Sequence, residues 1–321
     1  MRLSQQTQAR VRIAAKSEAP VLITGPTGSG KSSLSKLTHE LSERKGKPFV
    51  TINLATLHEG TFEAELFGYE KGAFTGADQR RIGRLESAQG GTVFLDEIGE
   101  LSPRLQTRLL EVLQSKIISP VGSNREIALD IRVIAATQKD LAQAISKGEF
   151  REDLFHRLRV IEIRLESLLE RRDEFDEIVH ESLNAICAKH DRSVLKISEQ
   201  VAQKLENYNW PGNFRELRNV LEYAVLSSEA SEIKERDLPD WFGESYLSVA
   251  TLASSVNAAL GIAEFPLTLD YQNSLTQFER EYLRRALHRF RGRVNQTARQ
   301  IGMNKTTLIR RIRAYGLNLE A

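Results

Sequence analysis

The sequence predicts an α/β unit built on a parallel sheet, followed by two smaller all-α units. Three observations carry this. Short apolar runs rich in branched residues recur through the first half of the chain, at residues 20–24, 49–52, 92–95 and 131–135. Runs of this length bounded by Gly or acidic residues are the pattern of strands buried on both faces. Helix-period segments alternate with them, notably 32–44 and 102–114, the order of a doubly wound fold with ligands at the carboxyl ends of its strands. After about Leu165 the strand pattern stops and helix periodicity takes over.

The order of elements divides the chain into an α/β unit over 1–164 and a helical unit over 165–242, the latter with helices at 174–190, 198–208 and 213–227. Residues 243–272, rich in Ser, Ala and Leu and interrupted by Gly261 and Pro266, read as a linker. A third unit, 273–321, holds helices at 275–290, 295–301 and 305–315, punctuated by Gly292 and Gly302. No internal repeat at a solenoid period is present, which removes that architecture.

Composition narrows the function classes. The 321 residues are 40% hydrophobic and 27% charged, an ordinary globular balance that can bury a sizeable core. No stretch approaches the roughly 18 apolar residues of a membrane span, and the polar start lacks the apolar centre of a signal peptide. A cytoplasmic protein with no membrane partner is expected. The single cysteine, Cys187, has no internal disulfide partner and reads as a helix-packing residue. The six histidines show no metal-ligand spacing. A net charge of +2 hides an asymmetry: Arg280 to Arg313 carries eleven Lys or Arg against one acid, Glu281. An amphipathic block of that kind calls for a polyanionic partner.

Gly25-Pro26-Thr27-Gly28-Ser29-Gly30-Lys31-Ser32 lies between a predicted strand and a predicted helix, the context a phosphate-binding loop requires. Backbone N–H groups of residues 28–32 and the helix N-terminus surround phosphates, Lys31 reaches the β and γ phosphates, and the Ser32 hydroxyl ligates Mg2+. The nucleotide assignment covers 25–33, Ser33 included. Thr92-Val-Phe-Leu-Asp96-Glu97 supplies the complement, an apolar strand delivering two carboxylates to its end. Asp96 is assigned to the metal side and Glu97 to polarising the attacking water. Hydrolysis also needs positive charge against the γ-phosphate beyond Lys31, so a further Arg is expected.

Between these motifs lies Gly72-Ala73-Phe74-Thr75-Gly76-Ala77. Two glycines tolerate backbone angles that a helix or strand does not, which puts Phe74 and Thr75 at a loop tip. Taken alone, it is either a partner contact or a surface turn whose Phe folds back onto the core. In the basic block, Ala298, Ile301, Leu308 and Ile312 around Gly302 have the spacing of a helix-turn-helix. Asn304 caps the second helix, and Lys305, Thr306, Thr307, Arg310 and Arg311 are the candidates for base edges and phosphates of double-stranded DNA.

Together with Glu65-Leu-Phe-Gly-Tyr-Glu-Lys ahead of the loop, these motifs resemble the AAA+ domain of bacterial sigma-54-dependent transcription activators, the enhancer-binding proteins. The resemblance covers roughly 10–240 for the ATPase and 273–321 for a Fis-like DNA-binding unit. It implies an AAA+ P-loop NTPase with a parallel sheet, a small α-helical lid and a C-terminal all-α helix-turn-helix domain. It makes residues 72–77 the sigma-factor contact. It makes Asn53 the partner that holds Glu97 out of action, Arg151 and Arg157 the arginine fingers that reach a neighbouring subunit's ATP, Gln138 the first sensor and Arg215, in Trp210-Pro-Gly-Asn-Phe-Arg215, the second. A plain strand-end cap remains the other reading of Asn53. Fingers acting in trans imply a homo-oligomeric ring, a hexamer in the family, with dimeric DNA-binding units that read half-sites about 34 Å apart.

Three departures stand out. Ser32 replaces the family's usual Glu, which secures magnesium ligation; Gln138 replaces Asn with one extra methylene; and Glu166-Ser167-Leu168-Leu169 replaces Pro-Pro-Leu-Arg, which is expected to loosen the hinge by removing the φ restraint of proline. The chain begins about two dozen residues before the phosphate loop, so control is expected to come from elsewhere, with a separate anti-activator, a co-activator and control of abundance all open. The function expected is ATP-driven remodelling of the sigma-54 RNA polymerase closed complex into an open one from upstream DNA sites. The competing reading is a DNA-binding regulator acting by occupancy, with ATP governing only its assembly.

Overall fold

In the computed structural model, residues 3–57, 60–242, 271–290 and 292–316 are described. They belong to two compact units, Met1–Glu244 and Ser245–Ala321. The expected linker lies almost wholly outside the described residues.

The first unit is organised by a five-stranded parallel sheet of β1 (Val21–Thr24), β2 (Phe49–Asn53), β3 (Thr92–Asp96), β4 (Arg132–Thr137) and β5 (Ile161–Arg164), in spatial order β2-β3-β4-β1-β5. The four expected strands form, and β5 is an addition. It is an edge strand paired to β1 with Val21 opposite Ile161. Its alternation of Ile161 and Ile163 with Glu162 and Arg164 lacks the continuous apolar run of a central strand. The register sets Asn53 beside Asp96 and Thr24 beside Thr137, so the carboxyl ends of β1 to β4 open on one edge.

Successive strand side chains face opposite ways. Leu22, Val93, Leu95 and Ala135 pack with Leu105, Leu109 and Leu113 of α3 (Pro103–Ser115). Val21, Ile23, Phe94 and Ile134 pack with Val11 and Ala14 of α1 (Gln5–Ala15) and Leu34 of α2 (Lys31–Glu40). Each such fully buried Leu, Ile or Phe contributes about 1.5–3 kcal/mol, and the two cores hold the sheet between layers of helices. Helix α1, which the polar start did not announce, begins at Ser4, whose side chain accepts the N–H of Thr7.

The lid comprises α5 (Phe175–Lys189), α6 (Glu199–Asn207) and α7 (Asn213–Ser227), preceded by α4 (Glu152–Leu158) in the α/β part. Its core gathers Ile178, Leu183, Cys187, Val201, Trp210, Leu217 and Leu221, so Cys187 packs inside a helix as expected. At the hinge, the expected loosening is offset. Ser167 donates its N–H (2.6 Å) and its hydroxyl (3.0 Å) to the Glu170 carboxylate, and Glu170 N–H returns a bond to Ser167 Oγ at 3.2 Å. This reciprocal Ser-x-x-Glu box restrains the turn by hydrogen bonds in the absence of proline. It also holds the Glu170 carboxyl below its usual range, the backbone N–H and hydroxyl of Ser167 being the main causes.

In the second unit α8 (Tyr271–Arg289), α9 (Val294–Gln300) and α10 (Lys305–Ala314) enclose Leu283, Leu287, Ala298, Leu308 and Ile312. Gly302, at φ 68°, makes the turn between the last two helices. Among the described residues no helix is long and apolar enough to cross a membrane.

Candidate functional site

The loop between β1 and α2 wraps a cavity of about 700 Å³ lined by Thr27, Gly28, Gly30, Lys31, Ser32 and Ser33, with Asn53, Asp96, Glu97, Gln138 and Arg215 facing them. Glycine is required here for two reasons. Gly28 and Gly30 have φ of 75° and 95°, left-handed angles that side chains resist. At Gly28 a Cβ would also lie 2.1 Å from the carbonyl oxygen of Gly212 in the lid. Ser29 is buried with a hydroxyl that has no hydrogen-bond partner among the described residues. The glycine cradle, the orphaned hydroxyl and Lys31 make this donor set a fit for a nucleotide triphosphate tail.

Lys31 is buried, and its Nζ donates to the carbonyl oxygens of Gly25 (2.9 Å) and Pro26 (3.2 Å) while lying 3.9 Å from Glu97 Oε1. Burial lowers its pKa; Glu97 and Asp96 oppose that shift and Arg215 adds to it. Ser32 Oγ donates to Asp96 Oδ2 at 3.3 Å, and Asp96 Oδ1 accepts the N–H of Glu97. The pair Ser32 and Asp96 thus offers oxygen ligands of the kind Mg2+ takes.

Glu97 has φ 57° and ψ 51°. A left-handed glutamate is uncommon and concentrates at functional positions. Its Oε2 accepts the N–H of Gln138 at 3.3 Å, and the Gln138 side chain pairs with the Thr27 hydroxyl. The extra methylene of Gln138 therefore carries its carboxamide onto the phosphate loop.

Asn53 lines the cavity, but its Oδ1 accepts the N–H of Ala55 and caps a short 3-10 turn. Among the described residues it makes no hydrogen bond to Glu97, so the strand-end cap describes its bonding here. Arg151 is exposed and paired with Asp153 at 2.7 Å. Arg157, in the last turn of α4, donates Nε and Nη2 to the Leu113 carbonyl. Among the described residues neither arginine lines the cavity of its own subunit. Arg215 does, in the first turn of α7.

The loop 72–77 closes on itself: Gly72 N–H donates to Ala77 O (2.8 Å) and Ala77 N–H to Phe74 O (3.0 Å). Phe74 is 46% exposed, its ring edge-on to Tyr69 at 4.9 Å; Thr75 and Gly76 are exposed with it. Ala77 is a correction to the expected contact set, being buried because the turn's closing bond folds it inward. A second loop, missed in the sequence, braces the first. Val121 N–H donates to Gly68 O, Glu70 N–H donates to Val121 O, and Gly122 abuts Ala73 so closely that a Cβ would lie 2.7 Å from the alanine's. Its Pro-Val-Gly-Ser stretch at 120–123 was the available turn signal.

In the second unit Asn304 caps α10 by accepting the N–H of Thr306, as expected. Lys305, Thr306 and Arg310 are exposed and Thr307 is half-buried. Arg311, its side chain 41% exposed, bonds Tyr315 Oη at 2.9 Å and pairs with Glu279 of α8 at 3.0 Å, so part of its charge is met within its own unit.

Fold and site together define an AAA+ P-loop NTPase carrying an α-helical lid and a separate helix-turn-helix. Residues 2–164 match the Sigma-54 interaction domain, 169–254 the AAA+ ATPase lid domain and 274–315 the bacterial regulatory protein Fis family. The chain belongs to the sigma-54 interaction domain family of transcriptional regulators. It is 40% identical over 305 residues to the transcriptional regulatory protein ZraR of Salmonella typhimurium, covering 94% of this chain and 65% of that protein. It is 37% identical to the transcriptional regulatory protein GlrR of Escherichia coli, covering 96% of this chain and 65% of that one. The chain thus spans about 65% of the length of these relatives. The structure of NtrX from Brucella abortus in complex with ATP superposes with a TM-score of 0.66 at 30% identity, covering 97% of this chain and 67% of that one.

Proposed function

We propose that this chain is a sigma-54-dependent transcriptional activator that binds upstream double-stranded DNA and uses ATP hydrolysis to remodel the sigma-54 RNA polymerase closed complex into an open one. One observation carries the reading: an exposed aromatic tip, Phe74, stands on the same unit as a complete phosphate-loop site. In this reading residues 25–33 hold the nucleotide. Lys31 leaves its loop carbonyls for the β and γ phosphates, Glu97 takes the proton of the attacking water at its carboxylate, and Gln138 and Arg215 sense the nucleotide. Bound Mg2+ supplies positive charge to the phosphate oxygens; Ser32 and Asp96 are the residues that would hold it.

The exposure of Arg151 and the tie of Arg157 to Leu113, both away from their own subunit's cavity, support action on a neighbouring subunit's ATP in a homo-oligomeric ring, a hexamer. The units divide at 1–164, 165–242, 243–272 and 273–321, with Lys305, Thr306, Thr307 and Arg310 toward DNA in the cytoplasm. The test is transcription in vitro from a sigma-54 promoter with ATP or a non-hydrolysable analogue. Open complexes are expected only with ATP. Phe74→Ala is expected to abolish them while ATP turnover continues, whereas Glu97→Gln lowers turnover by about 10²- to 10⁴-fold. Open complexes formed by the Phe74 variant would overturn the assignment of the tip.

A further inference from the structure

The joint between the lid and the phosphate loop runs through one side chain that neither the motif pattern nor the cavity lining singles out. Asn213, the first residue of α7, is 6% exposed. Its Oδ1 accepts the N–H of Leu168 in the hinge at 2.9 Å, and its Nδ2 donates to the carbonyl oxygen of Thr27 in the phosphate loop at 3.1 Å. The first partner can only donate and the second can only accept, so the carboxamide has a single orientation that satisfies both. One residue therefore ties together three segments far apart in sequence: 27, 168 and 213.

The backbone is shaped to hold it there. Asn213 has φ 53° and Trp210 φ 49°. The first is a left-handed angle that Asn tolerates better than most residues. The turn between them is fixed on both sides: Trp210 Nε1 donates to Leu205 O, and the Glu216 carboxylate accepts both the Gly212 N–H and the Tyr208 hydroxyl. Gly212 in turn presses its carbonyl against Gly28. A change in lid angle about the hinge therefore either breaks the bond from Asn213 to Thr27 or moves Thr27 with it. Arg215 stands two residues further along the same helix.

We propose that Asn213 is a positioning residue that couples the lid and its hinge to the phosphate loop, so that lid closure and the setting of the loop around phosphates occur as one movement. The proposal rests on the ATPase reading given above. Its role differs from that of the cavity residues, because it acts on the nucleotide only through Thr27 and Leu168.

Asn213→Asp tests it in the full chain. The carboxylate keeps the acceptor for Leu168 and tolerates the left-handed angle, but it loses the donor to Thr27. Expected are a KM for ATP raised about tenfold with kcat changed less than about twofold, the split that follows from losing one buried hydrogen bond outside the reacting groups. A second readout is hydrogen exchange of amides 165–170. Their protection by a bound non-hydrolysable ATP analogue, present in the parent, is lost in the variant. Asn213→Gly, which keeps the backbone angle and removes both bonds, is expected to show both losses and serves if the Asp variant does not fold. Parent-like KM together with parent-like protection in either folded variant overturns the proposal. A parent chain that does not turn over ATP overturns the ATPase reading instead, while the exchange experiment with bound analogue still decides whether Asn213 couples the segments.

Discussion

The two glycine-bearing loops of the α/β unit use the same residue for opposite ends. In the phosphate loop Gly28 is enclosed, with the Gly212 carbonyl and Arg215 where a side chain would go; in the loop 72–77, Gly72 and Gly76 have φ of 82° and 96° and nothing within 4 Å of a built Cβ. The first loop is pinned by its neighbours and needs glycine for want of space. The glycines of the second meet open space and are needed for their backbone angle alone. What separates a site that grips a ligand from a tip that can be presented to a partner is therefore how much of the surrounding protein specifies the loop's shape, since both share the left-handed backbone.

The largest effect expected from this contrast is at Gly28. Alanine there forces its Cβ against a backbone carbonyl and keeps an unfavourable φ, so nucleotide affinity measured by titration calorimetry should fall by about 100-fold or more, the equivalent of roughly 3 kcal/mol of overpacking. Gly122 combines both constraints, with φ 80° and Ala73 in the way. Gly122→Ala should lower stability by about 1–3 kcal/mol in denaturant unfolding and displace the braced loop, reducing transcription more than ATP turnover. Gly76→Ala meets open space and should cost only about 1–2 kcal/mol for its left-handed angle, leaving the KM for ATP unchanged. If Gly76→Ala proves as damaging to nucleotide binding as Gly28→Ala, the contrast fails.

The smallest effect lies on the lid wall of the cavity, where the ties are ionic. Glu222 accepts from Lys189 (2.6 Å) and His190 (2.9 Å), and these bonds, that of Lys189 foremost, hold its carboxyl down from 4.5 to about 2. A depressed carboxylate stabilises the fold fully above its unfolded pKa of 4.5, and that contribution is lost as pH falls toward about 2. Melting temperatures of the parent and Glu222→Gln should therefore differ at neutral pH and converge between these limits. Because the pair is partly solvated, the neutral-pH difference should be small.

Much of the fold and of the site could be read from residues alone. The three central strands β1, β3 and β4 announced themselves because burial on both faces leaves uninterrupted branched runs, β2 through its short branched run although it lies at an edge, and the phosphate loop because its geometry demands glycine and lysine at fixed spacing. The fifth strand did not, since Glu162 and Arg164 alternate with Ile161 and Ile163 and break the apolar run. The Ser167–Glu170 box was legible as a Ser-x-x-Glu signature, yet the lost prolines drew the expectation toward looseness. Arg311 and Ala77 were placed in contact sets by motif position, and only packing shows that one bonds across to α8 and the other is folded inward. Asn213 was beyond sequence reasoning, because its two partners lie at Thr27 and Leu168 and only the folded packing of the lid on the phosphate loop brings them within reach.

The backbone of Glu97 places durability and turnover in opposition at a single residue. A glycine at φ 57° would relieve the left-handed penalty and, on balance, raise stability by up to about 1 kcal/mol. The same exchange would remove the carboxylate from the end of β3. Exchange to glycine would therefore trade turnover for persistence, the opposition between activity and stability drawn at one backbone position.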